Sequence, residues 1–259
     1  MQTKELTGQR PRRSIGAFAL AAALSLSMAL SACGDADDLA EDAEAVPASG
    51  AARVAGDDAV PPIPVMGEQV DIVAFGDSLF AGYNLDPQQA YPQRLEAALR
   101  ARGINARIVN AGVSGDTSAA GLDRLEFTIS AQEDRPDLFI LELGGNDMLR
   151  GISPDETRAN FEAMLTMLKE RDIPVLLMGM RAPPNYGPDY QTDFDGLYGN
   201  LANEYDVELV PFWLKEIYQD PSLFQSDRIH PTAEGIEVLV ASTVDEVEDA
   251  IPEDATQAG

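Results

Sequence analysis

The chain has 259 residues, with 44 Asp and Glu against 18 Lys and Arg and a formal net charge of −26. So acidic a molecule repels nucleic-acid phosphates and anionic lipid surfaces, which excludes nucleic acid as a partner. One histidine and one cysteine cannot build a usual zinc site or an internal disulfide, so neither metal nor cofactor is expected.

Lys4, Arg10, Arg12 and Arg13 give a basic start, and Ile15 to Leu30 then runs without a charge to Leu30-Ser31-Ala32-Cys33. A basic region, a short apolar region and small residues before a cut site predict a secretory signal over residues 1–32. The apolar run of 16 residues falls short of the roughly 20 needed to span a bilayer, which favours cleavage over a permanent helix. The Leu-Ser-Ala-Cys ending resembles the bacterial lipobox, in which the cysteine is acylated and becomes the first mature residue. That resemblance implies a lipid anchor on Cys33 and a place on the periplasmic side of the cell envelope. Arg12-Arg13 also fits a twin-arginine signal, although Ser14, Ile15 and Gly16 fit that pattern poorly.

Residues 33–67 change composition. Asp35, Asp37, Asp38, Glu41, Asp42 and Glu44 cluster, and Pro61-Pro62-Ile63-Pro64 ends the stretch. Self-repelling charge followed by stiff prolines reads as a disordered acidic tether. The aspartates lack the glycine and distal glutamate of an EF-hand loop, so a calcium site is rejected.

Residues 68–250 form one domain, and 251–259 a disordered tail. Apolar runs at Val70–Phe75, Ala106–Val109, Leu138–Leu143, Pro174–Met178 and Val207–Pro211 read as strands. Between them, Tyr91, Leu95, Ala98 and Leu99 share a helical face, as do Phe161, Met164, Leu165 and Leu168. Ser153-Pro154-Asp155-Glu156 opens the second of these helices as a capping box, and Ile236–Val247 is a closing helix. The alternation predicts an α/β fold of three α/β/α layers around a mostly parallel five-stranded sheet.

Polar loops follow the first three strands: Gly76-Asp77-Ser78-Leu79, Ser114-Gly115-Asp116-Thr117 and Gly144-Gly145-Asn146-Asp147. In an open parallel sheet such loops converge outside the carboxyl ends of the strands. Each alone reads equally well as a turn. The single histidine, His230, stands in Asp227-Arg228-Ile229-His230-Pro231 before the last helix. Asp227 is placed to turn back onto the imidazole and fix the tautomer that leaves Nε2 free as a base for a serine.

Together these four blocks, in this order, resemble those of the GDSL/SGNH hydrolases, over about residues 69 to 248. Val113–Thr117, Leu141–Asp147 and Asn185-Tyr186-Gly187 are closer still to the bacterial arylesterase, thioesterase and lysophospholipase branch. The resemblance implies a flavodoxin-like SGNH fold and a serine esterase. Ser78 would be the nucleophile, Asp227 and His230 would complete a triad, and Ser78 N–H, Gly115 N–H and the Asn146 amide would form the oxyanion hole. Asp77 and Asp147 are expected to be structural, and Glu142 a buried, hydrogen-bonded acid with no chemical role. An imidazole base also predicts that activity falls on the acid side through one proton, where histidine ordinarily titrates, near about 6.5.

The loop Arg181–Tyr190 follows the fourth strand, and in the related branch this region lines the acyl pocket, so Tyr186, Gly187 and Met148 are expected there. Phe80, Tyr83, Met148 and Leu149 should make the crevice partly apolar. That favours aryl or short-to-medium acyl esters, thioesters or lysophospholipids over highly charged substrates. A carbohydrate O-acetylesterase shares the triad, and a noncatalytic envelope lipoprotein that binds a lipid or glycan shares the fold; retention of every catalytic position disfavours the latter. The oligomeric state is not legible.

Overall fold

The computed structural model describes residues 65–257. The predicted signal, Cys33 and all but the last residues of the acidic tether lie outside the described residues. Five strands, β1 (Val70–Gly76), β2 (Ala106–Gly112), β3 (Leu138–Leu141), β4 (Val175–Met178) and β5 (Glu208–Val210), form one sheet in the order β2-β1-β3-β4-β5. Every pairing is parallel, with Val73 opposite both Val109 and Phe139. The strands read as unbroken apolar runs because helices cover both faces. All four residues of β3 and all four of β4 are buried. Polar residues return on the edge strands, where Arg107 on β2 pairs with Asp71 of β1 at 2.6 Å and Glu208 on β5 is exposed.

Eight helices surround the sheet in the described residues: α1 (Ser78–Ala81), α2 (Tyr91–Ala101), α3 (Ser118–Ser130), α4 (Gly145–Leu149), α5 (Pro154–Lys169), α6 (Pro188–Tyr205), α7 (Ala233–Ala250) and α8 (Glu253–Gln257). Their layers follow from chain direction. The path moves outward from β1 to β2, then crosses back past β1 to β3 and continues to β4 and β5. Right-handed crossovers therefore put α2 on one face and α3, α5 and α6 on the other. The packing agrees: α2 lies on α7, α3 on α5, and α5 on α6. The order reverses between β1 and β3, so a crevice opens beyond the carboxyl ends of those two strands. Both Ser78 and Asn146 stand there, each just past its strand.

The predicted faces of α2 and α5 are buried, apart from the half-buried Ala98. Only half of the predicted capping box forms: Ser153 Oγ accepts from Glu156 N at 3.2 Å. The carboxyl-terminal expectation needs correction. Residues 253–257 form α8 and Ile251 is buried, because Ile251 and Ala255 find apolar surface on the core.

Candidate active site

The site starts at the end of β1, where the chain turns without a spacer into α1. Asp77 is the N-cap of that helix, its Oδ1 accepting from Leu79 N at 2.9 Å, and Ser78 is its first residue. A side-chain acceptor at this position satisfies one of the orphan N–H groups of the first turn and fixes where Ser78 points. From the far end of the sequence, residues 224–231 close into a small loop. Phe224 bridges Pro231, Gln225 N donates to His230 O at 2.7 Å, and Gln225 Nε2 donates to Tyr83 O at 2.8 Å, tying the loop to the end of α1. Within it Arg228 takes a left-handed backbone, φ 62°, so the chain reverses and brings Asp227 back to His230.

The resulting chain of contacts is continuous. Ser78 Oγ lies 2.8 Å from His230 Nε2, and His230 Nδ1 lies 2.7 Å from Asp227 Oδ2. The other Asp227 oxygen accepts from Ile229 N at 2.9 Å and His230 N at 3.0 Å. What little burial Asp227 has would raise its carboxyl, but these N–H groups and the imidazole outweigh it and lower the pKa to about 2. An ionised Asp227 places the ring proton on Nδ1 and leaves the Nε2 lone pair facing the serine hydroxyl. Tyr83 packs on the imidazole with ring centroids 4.3 Å apart and so limits its rotation.

Candidate oxyanion donors converge on the same place. Gly115 has φ +89°, a backbone that a residue with a Cβ rarely adopts, and it shapes the loop after β2. Among the described residues neither Ser78 N–H nor Gly115 N–H has an acceptor. One amide hydrogen of Asn146 goes to Asp77 Oδ2 at 2.8 Å, which orients the other. Asp147 is wholly buried and accepts from Ser118 N at 2.8 Å and from the Thr157 hydroxyl at 3.3 Å, pinning α3 and α5 to this corner.

Beneath Ser78 lies a pair of carboxyls. Glu142, at the end of β3, is completely buried, and its Oε2 accepts from Asp77 N at 3.3 Å. Its Oε1 has no partner among the described residues. Burial, and secondly the Asp77 charge, hold Glu142 well above the ordinary carboxyl range. Burial also pushes Asp77 up to about 6, against the opposing pull of Leu79 N–H and the Asn146 amide. Asp77 is therefore held above the ordinary carboxyl range.

A cavity of about 640 Å³ opens above Ser78 and His230. Met148, Tyr83 and Leu149 line it, and so do Arg181 and Pro183 of the loop after β4; the expectation for Tyr186, Gly187 and Phe80 is corrected. Tyr186 and Gly187 are not on its wall. Gly187 with its φ of 90° is the N-cap of α6, and Tyr186 packs its ring against Tyr190 at 5.4 Å, so this segment starts a helix instead of facing the crevice. Phe80 is a core residue, packed on Tyr91 and Trp213. The apolar wall comes instead from Phe212, Leu214, Tyr218 and Phe224 between β5 and the histidine loop, joined by Met180. The aromatic and aliphatic spacing of residues 212–224 was visible in the sequence but had no motif attached to it.

A family model for the GDSL-like lipase/acylhydrolase family matches residues 74–238. The chain is 40% identical over 160 residues to Esterase TesA of Pseudomonas aeruginosa, covering 62% of this chain and 79% of that protein. Against thioesterase 1/protease 1/lysophospholipase L1 of Escherichia coli K12 it is 39% identical over 160 residues, covering 62% of this chain and 74% of that one. Among solved structures it is similar to AlinE4, an SGNH-hydrolase family esterase, at 58% identity and a TM-score of 0.62, over 72% of this chain and 99% of that one.

Proposed function

Because the chain belongs to the GDSL-like lipase/acylhydrolase family, we propose that it is an exported serine esterase acting on aryl or short-to-medium acyl esters, with thioesters and lysophospholipids as further candidates. The observation that carries this reading is the hydrogen-bonded series Ser78–His230–Asp227 opening into a largely apolar cavity. His230 Nε2 takes the Ser78 proton as Oγ attacks the ester carbon. The oxyanion that forms is received by Ser78 N–H, Gly115 N–H and the Asn146 amide. The imidazolium, held by Asp227, then protonates the leaving oxygen or sulfur, and water repeats the sequence on the acyl-enzyme. Asn146→Ala is expected to cost about 10²–10³ in kcat, because its donor matters most once charge has developed on the oxygen; a stopped assay comparing kcat with KM checks this.

The direct test offers the purified protein aryl esters, acyl thioesters, lysophospholipids and acetylated sugars. Turnover of the first three is expected, with acetylated sugars slow because the wall is aromatic and aliphatic. A folded protein that hydrolyses no ester overturns the reading, and one that prefers acetylated sugars makes it a carbohydrate O-acetylesterase.

Export rests on the leader and on Cys33, which the proposal takes as the lipid-bearing first residue on the periplasmic side of the envelope. The acidic tether, repelled by an anionic bilayer, would hold the domain away from the surface. Cys33→Ser should move the protein from the membrane fraction to the soluble one with activity retained. Mass spectrometry finding an unmodified Cys33, or a mature start elsewhere, refutes the anchor.

A further inference from the structure

The charge around the cavity runs against the charge of the molecule. The chain has 44 acidic residues and a net charge of −26, yet Asp77 is the one carboxylate on the cavity wall, beside Arg181 and Arg228. Asp77 is buried, with its oxygens committed to Leu79 N–H and the Asn146 amide. Elsewhere in the described residues Arg94, Arg102, Arg107, Arg124, Arg158 and Arg171 each pair with a carboxylate. Neither cavity arginine pairs with a carboxylate among the described residues, whereas Arg100, Arg135 and Arg150, which are off the wall and also lack one, donate to backbone carbonyls.

Arg181 lies over the Phe212 ring, 5.5 Å from guanidinium carbon to centroid. Stacking on a ring uses no N–H donor, so the Arg181 fork remains available. Arg228 is exposed two residues before His230, in the left-handed turn of the same loop. With acid in such excess, two arginines without a carboxylate on one largely apolar cavity are a placement with consequences for binding.

Building on the esterase reading above, we infer that the mouth of the cavity is an anion subsite, in which Arg181 and Arg228 receive a carboxylate or phosphate on the leaving half of the ester. The half is assigned by Arg228, because it shares its loop with His230 and His230 returns its proton to the departing atom. The guanidinium fork matches either anion. Arg150 is bonded to the Gly115 carbonyl and supports that loop. The subsite narrows the expectation of uncharged substrates: the acyl half is apolar and the leaving half is charged.

The test uses the full-length protein and matched esters. One pair is 4-nitrophenyl butanoate and 3-carboxy-4-nitrophenyl butanoate, each kcat/KM divided by its hydroxide-catalysed rate. The other is monobutyrylglycerol and its 3-phosphate. The anionic member should be preferred by about tenfold in at least one pair, and Arg181→Gln with Arg228→Gln should remove that preference mainly through KM. Glutamine keeps a long polar side chain and, at 228, a non-glycine residue in the turn. The single variants repeat the measurement if the double one melts early. Lys169→Gln deletes one exposed positive charge off the cavity wall and should leave the ratio unchanged. A preference in the first pair alone assigns carboxylate, and in the second alone phosphate. No preference in either pair, or a preference that survives the double variant, overturns the subsite. Neither outcome touches the esterase reading, which fails only if the neutral esters are not hydrolysed.

Discussion

Ser78→Ala is expected to lower ester hydrolysis by a factor on the order of 10⁴ or more, with little change in thermal unfolding. The size follows from what is removed. Without Oγ there is no acyl-enzyme, and His230 Nε2 faces a methyl group instead of a hydroxyl 2.8 Å away. What survives is substrate binding and the oxyanion donors, none of which depends on the hydroxyl. Stability should hardly move because alanine is well tolerated in a first helical turn and because the cap that orders this turn belongs to Asp77. The measurement is kcat/KM on a purified, folded variant with residual wild-type contamination excluded. Near-normal turnover would end the serine-esterase reading.

Legibility in the sequence tracked how local each determinant is. The buried strands were readable because parallel strands covered on both faces must be continuously apolar. Ser78, Asn146 and Asp227-x-x-His230 were readable because each sits in a short polar block whose spacing carries its chemistry. By contrast, α3 and α6 were not anticipated. α3 buries Ser118, Gly121, Leu125 and Thr128, a face with one large apolar side chain, so its periodicity is faint. α6 begins behind a proline- and glycine-containing turn that reads as loop, and its core face comes from Phe194, Leu197, Tyr198 and Leu201 beyond it. Tyr186 was expected in the pocket on the family resemblance of this loop, not on its local pattern. The true wall from Phe212 to Phe224 depends on how the segment after β5 folds back over the crevice, which no short window of sequence encodes. The Asp77–Glu142 pair is tertiary in the same sense: the residues are 65 apart in sequence, and only burial reveals the shifted titration.

His230→Ala should lose nearly as much activity as Ser78→Ala, since the serine hydroxyl then has no base within reach, and Asp227→Asn should lose as much or less, because an imidazole in the wrong tautomer still serves part of the time. The pH profile separates the roles. The base must be neutral to take the Ser78 proton, so kcat/KM falls as pH drops. Asp77, raised to about 6, also takes up a proton as pH falls and weakens as the acceptor that orients Asn146. Both protonations work against catalysis, so the acid limb should steepen from one proton toward two below about pH 6. Asp227, lowered to about 2, stays ionised throughout and adds nothing to this limb. A wild-type limb that remains strictly one-proton to pH 5 removes Asp77 from the profile. In His230→Ala the residual rate should retain only the shallow Asp77 component, measurable with an activated aryl ester at high enzyme concentration. If that variant instead keeps substantial activity with the wild-type limb intact, the proton goes to another group, and the catalytic assignment fails while the fold stands.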